Sequence, residues 1–281
     1  MTLSRSKTPI SLALAGAFAL LAPQAHAASN DIIVESAASG GTAETAKPYL
    51  DQFSAYAQKV LTGWKPITAS FFSDAKSAQV GIAQAHPGFG LMDIDLFLEI
   101  REKEELVVLA QVEGAIHNRG HLHVIVKDPA IKTIDDLKGK TIISNQIQSP
   151  KFLSKAVFGG KYDAEKFFVL KPTPSPLKGL KAVDRGEAAA TIVDDAQLAG
   201  MKMLPFAASL RTLYSSPAIP SSPFVAFGKV AKPEERIAMQ KMLYGMCSDP
   251  KGAEVCKSLQ VKKFEKPDIA AYNDTIKRYG K

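Results

Sequence analysis

Short apolar runs alternate with longer stretches of helical spacing along nearly the whole chain, and that alternation leaves few folds open. Strand–helix–strand order repeated in this way predicts an α/β architecture, with mostly parallel sheets flanked by helices. Ile32–Val34 reads as a first strand, followed by a loop of small residues from Ser36 to Thr42. A helix is expected from near Pro48, where proline's fixed φ suits a first turn. Its apolar face carries Tyr49, Leu50, Phe53, Tyr56, Ala57, Val60 and Leu61 at helical spacing. Residues 67–72 and 80–85 read as the second and third strands, 91–102 as a helix and 106–112 as the fourth strand.

A second block with its own strands and helices begins after 121–126. Thr133 opens a short helix that ends at Gly139, and 141–143 is a strand. Ser149 and Pro150 open a helix to about Phe158. Strands at 167–170 and 188–193 bracket a helix at 176–185, and 224–227 is the last strand expected. Helices near 233–246, 250–259 and 268–279 finish the chain. The block is entered by one strand and left by another. This predicts two lobes on two crossing strands, with residues 28–122 and 224–281 in one lobe and 123–223 in the other. Such hinged clamps close around ligands, and a cleft between lobes is a favoured small-molecule site.

Residues 1–27 have the parts of a cleavable signal peptide. Arg5 and Lys7 precede an apolar run, Ile10 to Ala22, and Ala25-His26-Ala27 supplies a small-x-small cleavage site. The run is shorter than the roughly 20 apolar residues needed to span a bilayer. A short membrane anchor is the competing reading; export to the periplasm is the expectation. In that oxidising compartment the only two cysteines, Cys247 and Cys256, are expected to form a disulfide, with two buried thiols as the alternative. The formal net charge of +7 comes from lysines scattered among acidic residues, which describes a solvated surface rather than a nucleic-acid face. There is no G-x-S-x-G elbow, phosphate loop or dinucleotide fingerprint. Neither an enzyme nor a cofactor is expected.

Three segments carry a family resemblance: His123 to Lys140 (HVIVKDPAIKTIDDLKGK), Leu180 to Asp194 (LKAVDRGEAAATIVD) and Ala218 to Phe227 (AIPSSPFVAF). In order and spacing they resemble the crossover strand, the "helix, Gly-Glu, strand, Asp" segment and the return strand of type 2 periplasmic solute-binding proteins, in the phosphate/phosphite/phosphonate-type branch. The resemblance implies a binding protein that hands a solute to an inner-membrane ABC permease; a monomer that captures a small anionic or polar ligand is the expectation. Phosphonate binders carry a Ser-Thr-Ser-Gly-like run after the first strand of the second lobe. The matching stretch here, Ser144 to Lys151 (SNQIQSPK), lacks it. The resemblance therefore reaches the architecture and not phosphonate as ligand.

Several residues are candidates for the ligand site. Ser149 with Pro150 and Lys151 marks a helix start whose free N–H groups attract anions, or an ordinary cap; Asn145 and Gln148 share its loop. Asp194 and Asp195 end a strand, where ligand crevices form, or they cap the helix near Gln197. Ser39, Gly40, Gly41 and Thr42 offer unhindered backbone, or a flexible turn. His86 and Phe89 are expected at the cleft end of the third strand, His86 as donor or metal ligand and Phe89 as a stacking ring or core plug. Arg119 is suited to an anionic ligand. His117, His121 and His123 suit zinc or copper, or a hydrogen-bonded polar hinge. A different function on the same fold, an accessory or sensor docking on a redox or signalling partner, would draw on the acidic run Glu99, Glu102, Glu104 and Glu105 to meet a basic partner, a run that otherwise reads as a solvated helix end.

Overall fold

The structure, a computed structural model, describes residues 30–37, 41–114 and 120–280. The signal segment and the candidates Ser39, Gly40, His117 and Arg119 lie outside the described residues. The first strand, β1 (Ile32–Glu35), leads into α1 (Ala43–Val60). This helix begins five residues before the expected start because Thr42 and Thr45 form a capping box, and Pro48 lies inside it. Next come β2 (Ala69–Phe72) and α2 (Ala75–Ala85).

The helix α2 corrects the expected strand at 80–85. Asp74 accepts a hydrogen bond from the Ser77 amide at 2.9 Å and so caps a helix. Ala78 and Ile82 are buried one turn apart while Val80 is 52 % exposed, which is helical and not alternating periodicity. The actual third strand is β3 (Phe89–Leu91), only three residues long. It is followed by α3 (Ile94–Ile100) and β4 (Leu106–Gly114).

The second block runs from β5 (Leu122–Val126) through a 3₁₀ turn at Ile134–Leu137 to β6 (Thr141–Ser144). Then come α4 (Pro150–Phe152), continued as a π-helical turn at Leu153–Val157, α5 (Ala164–Phe167), β7 (Val169–Pro172) and α6 (Pro176–Asp184). The block closes with β8 (Ala190–Asp194), α7 (Asp195–Met201) and β9 (Arg211–Ser215). The chain returns through β10 (Pro223–Phe227) and ends with α8 (Pro233–Met246), α9 (Pro250–Ser258), β11 (Val261–Glu265) and α10 (Ile269–Tyr279).

Two sheets result, in the orders β11-β4-β10-β3-β1-β2 and β7-β6-β8-β5-β9. Each has a parallel part, β2-β1-β3 in the first and β7-β6-β8 in the second. The crossing strands β10 and β5 join them antiparallel, as does β11, so both sheets are mixed. The strands that carry the chain between blocks enter from the opposite side and must run against their neighbours. Phe53, Phe224, Phe264, Met239 and Leu243 build a core on one face of the first sheet, and Cys247 and Cys256 are bridged between α8 and α9.

Among the described residues the two crossings form one isolated antiparallel bridge, Gly120 with Ile219. Glycine is required at 120: its φ is +146°, and a Cβ there would lie 1.7 Å from Asp195 Oδ2. Away from the crossings the lobes also meet at α10. Lys151 Nζ lies 2.9 Å from Glu99 Oε2 and 4.8 Å from the centre of the Tyr279 ring. The Tyr279 hydroxyl donates to Glu99. No described helix is long and apolar enough to cross a membrane.

Candidate ligand site between the lobes

Strand ends from both sheets point at one cavity of about 120 Å³. Ala37 after β1 and Asp93, Ile94 and Asp95 after β3 supply one wall. Asn145, Gln146, Gln148 and Ser149 after β6, with Asp194 and Asp195 at the end of β8, supply the other, and Gly120–Leu122 with Ile219, Pro220 and Ser222 form the floor at the crossings. This is where parallel strands leave room for a ligand, beyond their carboxyl ends. The volume is well below the about 300 Å³ at which drug-sized pockets begin, so the cavity suits a small solute.

Carboxyl groups dominate the walls. Asp93 Oδ2 accepts from the Ala37 amide at 3.0 Å and its Oδ1 from Ser222 Oγ at 3.3 Å. The Asp93 amide donates to Glu35 Oε2 at 3.0 Å. Burial, and then the charges of Asp93 and Asp95, push the Glu35 carboxyl up to about 9, so it is protonated at neutral pH. Burial and Asp93 push Asp95 up to about 7. Across the cavity, Asp194 Oδ1 caps α7 by accepting from the Gln197 amide at 2.8 Å, and Gln146 Nε2 reaches its Oδ2 at 3.4 Å. Burial raises the Asp194 carboxyl above the usual range. Burial also works to raise Asp195, but hydrogen bonds from His123 and the His121 amide outweigh it and hold that carboxyl low. His123 Nε2 lies 2.6 Å from Asp195 Oδ1 and must be the donor, since an ionised carboxylate only accepts.

Asn145 is the most informative residue of the site. It lines the cavity, is 2 % exposed, and neither Oδ1 nor Nδ2 has a hydrogen-bond partner among the described residues. Buried amides are almost always paired, so such an exception calls for an explanation, a bound water or ligand among them.

The structure brings together Asn145, Gln148, Ser149 and Asp194 of the expected residues, with His121 beside them. Ser149 does cap α4, accepting from the Phe152 amide at 3.3 Å. The others lie elsewhere. Lys151 is engaged with Glu99 and Tyr279, which also takes Glu99 out of the expected acidic run. His86 is an exposed C-cap of α2 in the left-handed region, at the end of the lobe away from the cavity. Its placement follows from the correction at 80–85, because β3 begins after His86 rather than ending there. Phe89 is buried and stacks on Trp64 at 5.7 Å, as a core plug. Thr42 caps α1, and Gly41 borders a separate, largely apolar cavity with Tyr49, Phe53 and Phe264. The His121 backbone amide and the His123 ring hold Asp195, the His121 Nδ1 lying 3.6 Å from its Oδ2, and no described group of three or more His, Cys, Asp or Glu side chains is arranged to hold a metal ion. Missing from the expected set were Glu35, at the end of β1, and Asp93 and Asp95, hidden because 91–102 reads as one helix; an aspartate two residues past an apolar triplet is the signal that marks the end of β3.

Residues 89–272 match the model of a protein family described as "ABC transporter, phosphonate, periplasmic substrate-binding protein". The chain belongs to this family. Among solved structures, this substrate-binding protein is similar to XAC2383 from Xanthomonas citri bound to ATP, with a TM-score of 0.68 and 14 % identity over 90 % of this chain and 98 % of that one. It is also similar to PhnD1 from Prochlorococcus marinus in complex with methylphosphonate, with a TM-score of 0.62 and 14 % identity over 89 % and 97 % of the two chains. A binding protein component of an ABC phosphonate transporter from Pseudomonas aeruginosa gives 0.60 and 17 % over 89 % and 87 %. At such identities the likeness shows the two-lobed fold. No curated protein matches the chain. The family is one of transport in the periplasm, so both the architecture and the functional class implied by the resemblance stand.

Proposed function

We propose that the protein is exported by cleavage after Ala27 and works as a monomer in the periplasm. It captures a small polar solute between lobes 28–122 with 224–281 and 123–223, and presents it to an inner-membrane ABC permease without chemistry of its own. The observation that carries this is the unpartnered Asn145 amide in the interlobe cavity. A buried amide left unpaired costs about 1–3 kcal/mol, and a solute that pairs with it recovers that cost only when the lobes surround it. Differential affinity of this kind is what shifts an open–closed equilibrium.

A thermal-shift screen of the mature protein over anions, amino acids, amines and metal salts tests the reading. A true ligand at a hundred times its Kd stabilises the fold by about 2.7 kcal/mol. The shift is expected to disappear in Asn145→Leu. A screen in which no compound moves the melting temperature sinks the proposal.

A further inference from the structure

One wall of the cavity is held from behind by a side chain that does not line it. His123 sits within β5, in register with Val193 of β8 on one side and Ser215 of β9 on the other. The other four residues of β5 are apolar, and all five are buried. An imidazole in such a strand is costly to bury unless both ring nitrogens are paired. Both are. Nε2 lies 2.6 Å from Asp195 Oδ1, and Nδ1 lies 2.8 Å from Ser215 Oγ. Ser215 is exposed on β9, which ends the described sheet, whereas Asp195 lines the cavity. The ring therefore connects the outer edge of the sheet to the cavity wall.

The direction of these hydrogen bonds follows from their chemistry. An ionised carboxylate only accepts, so Nε2 carries a hydrogen. In the single-hydrogen form of the ring Nδ1 is then bare, and it accepts from the Ser215 hydroxyl. With both nitrogens held, the ring cannot flip, and its Nε2–H stays aimed at Oδ1. Asp195 Oδ2 is fixed in turn by the His121 amide at 3.1 Å, and the bare Gly120 leaves it room. Burial works to raise this carboxyl, and the His123 hydrogen bond stands first among the effects that outweigh it. The other described titratable groups acting on Asp195 are the His121 ring and its sequence neighbour Asp194.

We infer that His123, oriented by Ser215, is a positioning residue of the solute site: it holds the Asp195 carboxylate charged and turned in one direction on the cavity wall. The part of a solute that meets Asp195 must then be a hydrogen-bond donor. This deepens the reading of the cavity as the solute site and rests on it, but its test needs no solute, so the two can fail separately.

Nitrogen NMR of the mature protein with labelled histidine reads the ring directly. Above neutral pH, His123 is expected to carry hydrogen on Nε2 and none on Nδ1. Its Nε2–H proton should resonate far downfield, as a short, charge-assisted hydrogen bond requires; this measurement needs no variant. Hydrogen on Nδ1, or an Nε2–H proton at an ordinary position, overturns the inference. Ser215→Ala should shift the Nδ1 resonance towards that of an unbonded nitrogen, and a resonance that stays in place removes Ser215 from the arrangement. Carbon NMR titration of the Asp195 carboxyl gives the second readout. His123→Leu should raise its midpoint, and His123→Gln, which can offer an N–H from its side-chain amide, should return the midpoint towards the parent's. A histidine that only fills space would leave the midpoint unmoved or move it equally in both variants, and either result overturns the inference. All of these outcomes leave the proposed function to its own solute screen.

Discussion

Replacing Asn145 by leucine is expected to stabilise the unliganded protein while destroying its ability to bind solute. The two side chains have similar size, so the change removes polar atoms without emptying the site. Both amide atoms are buried and unpartnered among the described residues, and Leu122 and Phe152 border the same cavity. Relief of the desolvation penalty is worth about 1–3 kcal/mol. In a chain of this size each kcal/mol moves the melting temperature by about 2–4 °C, so the predicted rise is roughly 2–12 °C. Calorimetric melting of both proteins, each with and without a ligand of the parent, gives the four values needed. The parent should gain from ligand and the variant should not, although the variant starts higher. A variant that melts below the parent would refute the reasoning, because it would mean that the amide already has its hydrogen bonds. Retained binding would refute it from the other side. Asn145→Val, smaller at the same position, guards against a fall caused only by crowding.

Other consequences can be checked separately. Lys151→Met should cost less than about 1 kcal/mol, since Lys151 and Glu99 are 56 % and 43 % exposed and exposed pairs are weak. The loss of that interlobe tie should still enlarge the radius of gyration in small-angle scattering without ligand; an unchanged radius would show that the pair does not restrain the lobes. Glu35 is raised in the fold from 4.5 to about 9, so the native state binds more protons than the unfolded chain across that interval. Stability must therefore fall as pH rises from about 5 to 9, and Glu35→Gln should flatten the fall in urea titrations; an unaltered slope would contradict the assignment. Reducing the Cys247–Cys256 bridge, which closes a loop with a sequence separation of 9, should cost about 2–3 kcal/mol, read as a lower urea midpoint.

What was legible in the sequence divides along physical lines. Helix caps and strand ends are local, so Ser149, Asp194 and the two-block organisation emerge from residue order alone. The strand β3 does not, because three residues are too few to establish a period, and the preceding helix places Val80 and Ile82 so as to mimic alternation. That one error displaced His86 and concealed Asp93 and Asp95. The strand β11 escaped notice since Lys262 and Lys263 interrupt its apolar positions; it lies at a sheet edge, where charged residues discourage further pairing. Lys151 beside a helix start reads as an anion ligand, and only the tertiary fold reveals a partner 52 positions away. Asn145 lay in a loop already suspected, but the absence of a partner is a property of three dimensions.

The bare backbone at Gly120 has a mechanical meaning as well as a conformational one. The gap left by its missing side chain is occupied by Asp195 Oδ2, which is also a wall of the cavity and a partner of the His121 amide. The crossing at residue 120 and the cavity wall therefore share one carboxylate. A side chain at 120 would have to push aside a carboxylate pinned by His123, so Gly120→Ala is expected to disturb the crossing and the cavity wall together.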